Sequence, residues 1–168
     1  MSTTTTAVRP PRTSLPLVVG GGLLVAVFDA VFACTWWAIA AGVGPMRILQ
    51  SIGAGLLGEA SFAGGWRSAA IGAAAHGFIA ICMVGAYVLV AARLPVLVRQ
   101  PLRWGAAYGL FLYALMNFVV VPLSAAPRND LPAAWVAASI AVHVLIGIAC
   151  ALLARRALRV SDRRRRAP

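Results

Sequence analysis

Apolar residues fill four long stretches of the chain, and polar residues gather at their ends and in the connections between them. The stretches run about 17–41, 68–92, 103–123 and 133–154. Each reaches the ~20 residues that an α-helix needs to cross a ~30 Å hydrocarbon core. None alternates with the two-residue period of a barrel strand. The pattern predicts an all-α integral membrane protein, a four-helix bundle over 17–154. A polar segment, 1–16, precedes it, and a basic tail, 155–168, follows. Four consecutive threonines and Pro10-Pro11 make 1–16 read as a disordered lead.

The connection between the first two stretches is too long for a turn and too apolar for a solvated loop. Gly44-Pro45 suits a helix start, because proline is preorganised at the first helical position. Met46, Leu49, Ile52 and Leu56 recur at helical spacing, with Arg47, Gln50 and Ser51 on the other side. The expectation is an amphipathic or re-entrant outer helix, a lid over about 45–65. Its second half, Gly53 to Gly65, is rich in Gly and Ala. Irregular backbone at membrane depth must be covered by protein or line a cavity.

Charge adds orientation. The net charge is +11, and all fifteen basic residues are arginine. With four spans, 1–16, the 93–103 connection and the C-terminal tail share one side, and they hold twelve arginines. Arg47, Arg67 and Arg128 fall on the other side. The positive-inside bias then puts both termini in the cytoplasm. Trp36, Trp37, Trp66 and Trp135 fall near the outer boundary and Trp104 near the inner one, as indole rings prefer. Seven arginines lie in the tail, where they read as a topology signal and an attraction to anionic lipid headgroups rather than to nucleic acid. Arg9 and Arg12 before an apolar stretch, with Val31-Phe32-Ala33-Cys34, raise the alternative of a cleaved signal. The stretch is too long for that, continues past Cys34 and carries Asp29.

With 61% hydrophobic and 11% charged residues, the chain has too little polar surface for a soluble domain. Polar side chains inside a span are expensive and therefore informative. Each span carries one: Asp29, His76, Asn117 and His143. At ~1.5 Å per residue, they lie about 18, 12, 9 and 15 Å from the outer ends of their stretches. Small residues share their faces: Gly22, Ala26 and Ala33 with Asp29, Gly72 and Ala80 with His76, and Ser139, Gly147 and Cys150 with His143. Such faces pack closely, so the four groups are expected to converge on the bundle axis, with Tyr113 one turn from Asn117.

Several uses of this layer stay open. A carboxylate near mid-membrane needs a partner or must bind a proton, which makes Asp29 the candidate for a proton- or cation-responsive transport or sensing site. His76, His143 and Asp29 are an acceptable ligand set for a transition metal. A b-type haem between His76 and His143 is a further alternative. The bland alternative is a structural or accessory subunit whose polar groups, Asn117 above all, tie helices together by hydrogen bonds. Glu59, in the lid, either pairs with Arg47 or Arg67 or guards access to the layer. Cys34, Cys82 and Cys150 lie in apolar stretches without a CxxC motif and read as small buried hydrophobes. Gly20-Gly21-Gly22 lacks the Lys-Ser/Thr of a phosphate loop and reads as helix packing. No enzyme signature is present. Gly105 and Gly109 offer a face for homo-oligomers or for a partner in a membrane complex.

The segments Ile48-Leu49-Gln50-Ser51-Ile52 and Gly55-Leu56-Leu57-Gly58, then Phe62 before Gly64-Gly65, resemble the first-loop signature of YagU-like bacterial membrane proteins. His76 in the second span and Met116-Asn117 followed by Pro122-Leu123-Ser124 extend the resemblance over most of 17–155. It implies a small polytopic inner-membrane protein of bacteria and no defined chemistry.

Overall fold

The computed structural model describes residues 14–127 and 130–166, with side chains through residue 160. Arg9, Arg12, Arg128 and the side chains of Arg163–Arg166, which carry part of the orientation argument, lie outside the described residues, as does nearly all of the 1–16 lead. Seven α-helices follow in order: α1 (Leu15–Ala41), α2 (Pro45–Leu57), α3 (Gly65–Ala91), α4 (Val96–Arg99), α5 (Pro101–Leu115), α6 (Val121–Leu123) and α7 (Ala133–Arg166). A 3-10 turn, Gly58–Ala63, extends α2, and a π turn, Met116–Val120, joins α5 to α6. Four helical segments are long and apolar enough to cross a membrane: Leu15–Ala41, Gly65–Ala91, Pro101–Leu123 and Ala133–Val160. The protein is an all-α, multi-pass membrane bundle, and its outward side chains meet lipid.

Proline and glycine set the boundaries. α1 stops at Gly42, whose left-handed φ of 65° lets its N–H reach the Ala38 carbonyl at 3.1 Å. Pro45 and Pro101 sit in the first turns of α2 and α5, where a missing N–H costs nothing. The helix of the fourth span does not end near residue 154. α7 continues into the basic segment, and Ala154 and Ala157 are buried. The Arg, Ala and Leu of that segment are strong helix formers, and no Gly or Pro interrupts them before Pro168.

α7 packs against α1, α3 and, most extensively, α5, while α3 packs against α1, α7 and α2. Lipid gives helices no hydrophobic reason to associate, so small residues that let backbones touch decide where they do. A Cβ on Gly105 would sit 2.6 Å from Ile148 Cα, and one on Gly109 would meet the His143 backbone. Gly105 and Gly109 are therefore spent inside the chain, on α7, and offer no oligomer face. Tyr87, Val84 and Val88 of α3 meet Cys150, Ala151 and Ala154 of α7 in a closely packed core. That core lies in the half of the bundle carrying the start of α1 and the end of α7.

The lid is present and packs mainly on α3. Gln50 is buried, and its side-chain amide donates to the Gly65 carbonyl at 3.1 Å. Ser61 Oγ donates to the Gln50 carbonyl (2.7 Å), and Ser68 Oγ donates to the Ser61 carbonyl (2.6 Å). The stripe that looked apolar in the sequence does not supply the buried face: Met46 and Leu56 are exposed, whereas Ile48, Gln50, Gly53 and Ala54 are buried. Leu49 and Ile52 of that stripe are half-buried, Ile52 against a polar cavity, and a hydrogen-bonded seam holds the buried face.

Candidate functional site

Asp29, His76, Asn117 and His143 all line one cavity of about 350 Å³ in the lid half of the bundle. α1 supplies Asp29, α3 His76, the π turn Asn117 and α7 His143. His76 Nε2 lies 3.1 Å from the Ala26 carbonyl and 3.6 Å from Asp29 Oδ2. The shorter contact makes Nε2 the protonated nitrogen, donating to Ala26 and facing the carboxylate at ion-pair rather than hydrogen-bond distance. Both side chains are partly open, at 18% and 26% exposure, so the pair borders the cavity instead of being sealed in the core. His143 Nδ1 lies 2.8 Å from the Ser139 carbonyl, one turn back on its own helix. Donation there leaves Nε2 as an acceptor. The Tyr113 ring meets the His143 ring edge-on, with centroids 5.5 Å apart, and Tyr113 does not line the cavity.

Asn117 corrects the reading of it as glue between helices. Its Nδ2 donates to the Tyr113 carbonyl at 2.9 Å, within its own span. The bond sits where the helix widens into the π turn, and Pro122 follows without an N–H to donate back. A π turn of this kind inserts an extra residue and re-aims the side chains around it. From Phe118 through Leu123 no residue is buried, so the lid end of the third span stands off from the others. The cavity fills the gap.

The lid end of this cavity has an aromatic wall. Phe32 stacks on Trp135 with centroids 5.7 Å apart, and Trp37 meets Trp135 at 5.2 Å. Phe32, Trp37 and Trp135 line the cavity together with Asp29. The tryptophans read in the sequence as boundary anchors, and nothing there joined residues so far apart. Phe32, one turn beyond Asp29, was the available signal. Ser139, on the His143 face in the sequence, lines the cavity too, and Ser51 from the lid and Ser124 add polar lining that spacing did not assign to the layer.

Glu59 has neither of its expected partners. Among the described residues the His76–Asp29 contact is the only acid–base pair within 4 Å, and the Arg47 guanidinium instead lies 3.9 Å from the centroid of the Phe62 ring. Glu59 is exposed in a cleft with Asp130 and Arg47 that shares Trp37, Ile48, Ser51 and Trp135 with the polar cavity. Of the cysteines, only Cys150 is a buried small hydrophobe; Cys34 is half-buried and Cys82 is exposed. All three are free thiols.

Among the described residues, no three His, Cys, Asp or Glu side chains come close enough to share a metal ion. Nor do His76 and His143 both offer a free Nε2, since that of His76 is engaged by Ala26. The arrangement that does form is a carboxylate–imidazole pair, a second imidazole and an amide around a space large enough for a small ligand. No known family model, curated protein or solved structure matches this chain, so its own geometry carries the reading.

Proposed function

We propose that the cavity is a proton- or cation-responsive site in a protein that transports or senses across the bacterial inner membrane. The carrying observation is the convergence of Asp29 and both histidines of the chain, one polar group per helix, on a single cavity. Asp29 is the only acid within a span, and an intramembrane carboxylate beside an imidazole either trades a proton with it or holds a cation. The cleft holding Glu59 and Asp130 supplies negative potential at the lid end and shares walls with the cavity, which gives a cation a route to Asp29. The arginine asymmetry favours cytoplasmic termini and an outward-facing lid. YagU-like membership, carried by the lid signature and Met116-Asn117, belongs to the same proposal.

One observation favours an accessory-subunit reading instead: His76 bonds the Ala26 carbonyl and so ties α3 to α1. The two readings part at Asp29→Asn. In lipid nanodiscs, the first expects a proton- or cation-dependent change in tryptophan fluorescence that this variant loses at unchanged folded yield. A wild-type protein that ignores protons and cations alike would leave only the accessory role.

A further inference from the structure

Beside the polar cavity runs a second space, an apolar groove of about 540 Å³ between α3 and α5. No ionisable side chain lines it except the Cys82 thiol and the hydroxyls of Tyr87 and Tyr108, and Tyr108 Oη is already spent on the Met83 carbonyl at 2.8 Å. It extends along α3 from Phe78 to Val90, roughly 18 Å at ~1.5 Å per residue, away from the lid. Ile79, Met83, Met116 and Val120 line both spaces. The partition thus contains two methionines, unbranched side chains that repack easily. It stands beside the π turn, where the third span has come away from the bundle.

The chemistry of the two compartments differs in a way that describes a ligand. Asp29 lies one turn from Phe32, and Trp37 and Trp135 complete an aromatic wall around the same cavity. A carboxylate with aromatic faces is the environment that stabilises an organic ammonium group. No arginine lines the cavity, so a phosphate or carboxylate head would find only the two imidazoles to meet it, one of them already facing Asp29. An apolar tail attached to such a head would have to leave the polar cavity, and the groove behind Met83 and Met116 is contiguous with it.

Resting on the cation-site reading above, we infer that the ligand is an amphiphilic organic cation, its ammonium head beside Asp29 and the aromatic wall and its apolar tail in the α3–α5 groove. The groove lets the tail stay in apolar surroundings while the head leaves lipid for the carboxylate. Charge gives the site its selectivity, and tail length gives affinity measured from water, about fourfold for each methylene buried.

The test uses the full chain in phosphatidylcholine nanodiscs, read by tryptophan fluorescence and corrected for partition into empty nanodiscs. The probes are tetramethylammonium, dodecyltrimethylammonium and uncharged dodecanol. The expected result is binding of both cations, the long one at least about tenfold tighter, and no saturable response to dodecanol. Asp29→Asn weakens both cations by about tenfold or more. Ala86→Phe fills the groove, cancels the advantage of the long cation and leaves tetramethylammonium unchanged; Cys82→Trp is a second block should that variant fold poorly. Equal binding of the two cations, or dodecanol binding as tightly as the long cation, overturns the amphiphile and leaves the cation site standing. In the dodecanol case, the groove holds only a bilayer acyl chain. Failure of either cation to bind in an Asp29-dependent way overturns the amphiphile, and the response of the wild-type protein to protons and inorganic cations then decides whether the site reading stands.

Discussion

Toward the start of α1 and the end of α7, Val84, Val88, Cys150 and Ala154 are sealed between α3 and α7, and glycine backbones of α5 and α7 touch. Toward the lid, the spans diverge around a cavity of about 350 Å³ edged by Phe32, Trp37, Trp135 and Met116. The difference follows from side-chain size. Lipid tails are as apolar as leucine, so only close packing and hydrogen bonds hold the spans together. Where the sequence places Gly and Ala on facing helices, the spans close. Where it places large rings and a π turn, they part, and one ionisable group from each of three helices can share the gap. Rigidity at one end lets the other stay open.

The strongest way to break this contrast is to add the same bulk to each half. Gly147→Leu places a Cβ against the backbone of Gly105 and Gly109, where no side chain can move aside. Its expected cost is about 3 kcal/mol, the upper part of the range for overpacking, together with a sharp loss of folded yield. Ala33→Leu puts comparable bulk into the cavity, which has room for it, and should cost less than about 1 kcal/mol. Unfolding midpoints in detergent check both. Equal losses would mean that the cavity is as tightly packed as the core.

A middle-sized effect separates the lid from both halves. Gln50→Ala removes a buried amide that joins α2 to the start of α3 and leaves the Gly65 carbonyl without that partner. The expected loss is about 1 kcal/mol, from one buried hydrogen bond, because Ser68 Oγ still reaches the same carbonyl at 3.1 Å. Met46→Ala, on the exposed stripe of the same helix, should change stability by no more than about 0.5 kcal/mol. The reverse order would show that the apolar stripe, and not the hydrogen-bonded seam, carries the lid.

These contrasts also mark how far the sequence could be read. Span number and the layer of Asp29, His76, Asn117 and His143 were legible because length and the cost of burying polar groups in lipid depend on local sequence alone. Partner choice was not. Gly105 and Gly109 look the same whether they face a second copy or α7, because a small-residue stripe records close approach without naming what approaches. Met46 and Leu56 were readable as one apolar face, but apolarity does not distinguish a lipid contact from a protein contact. Asn117 looked like glue between helices, and its local bond to Tyr113 became visible only with the π turn. Trp37 and Trp135 needed the fold to bring them together.

Asp29→Asn should affect function strongly and stability hardly at all. The pair it forms with His76 spans 3.6 Å and is partly open, so removing the charge should shift stability by no more than about 0.5 kcal/mol. Cation response should fall about tenfold or more. A loss of several kcal/mol would move Asp29 from the open half to the structural half and favour the accessory-subunit reading.

The subtlest change is Pro122→Ala, which restores a backbone donor just beyond the π turn. If the missing N–H is what holds the turn open, Met116–Val120 should relax to a regular α-helix, with a stability change within about 0.5 kcal/mol. Absorbing one extra residue rotates the side chains on one side of the turn by about 100°, one residue of a 3.6-residue helix. Asn117 would then swing off the cavity while Tyr113, on the α5 side, stays against His143. A cysteine at position 117, in a background where Cys34, Cys82 and Cys150 are replaced by alanine, reports this directly. With Pro122 present it should react with a small water-soluble maleimide, and with Pro122→Ala the rate should drop about tenfold. Equal rates would show that the turn persists without the proline and without the bond from Asn117 to the Tyr113 carbonyl, which the cysteine also removes, and its origin would then lie in the packing of the third span.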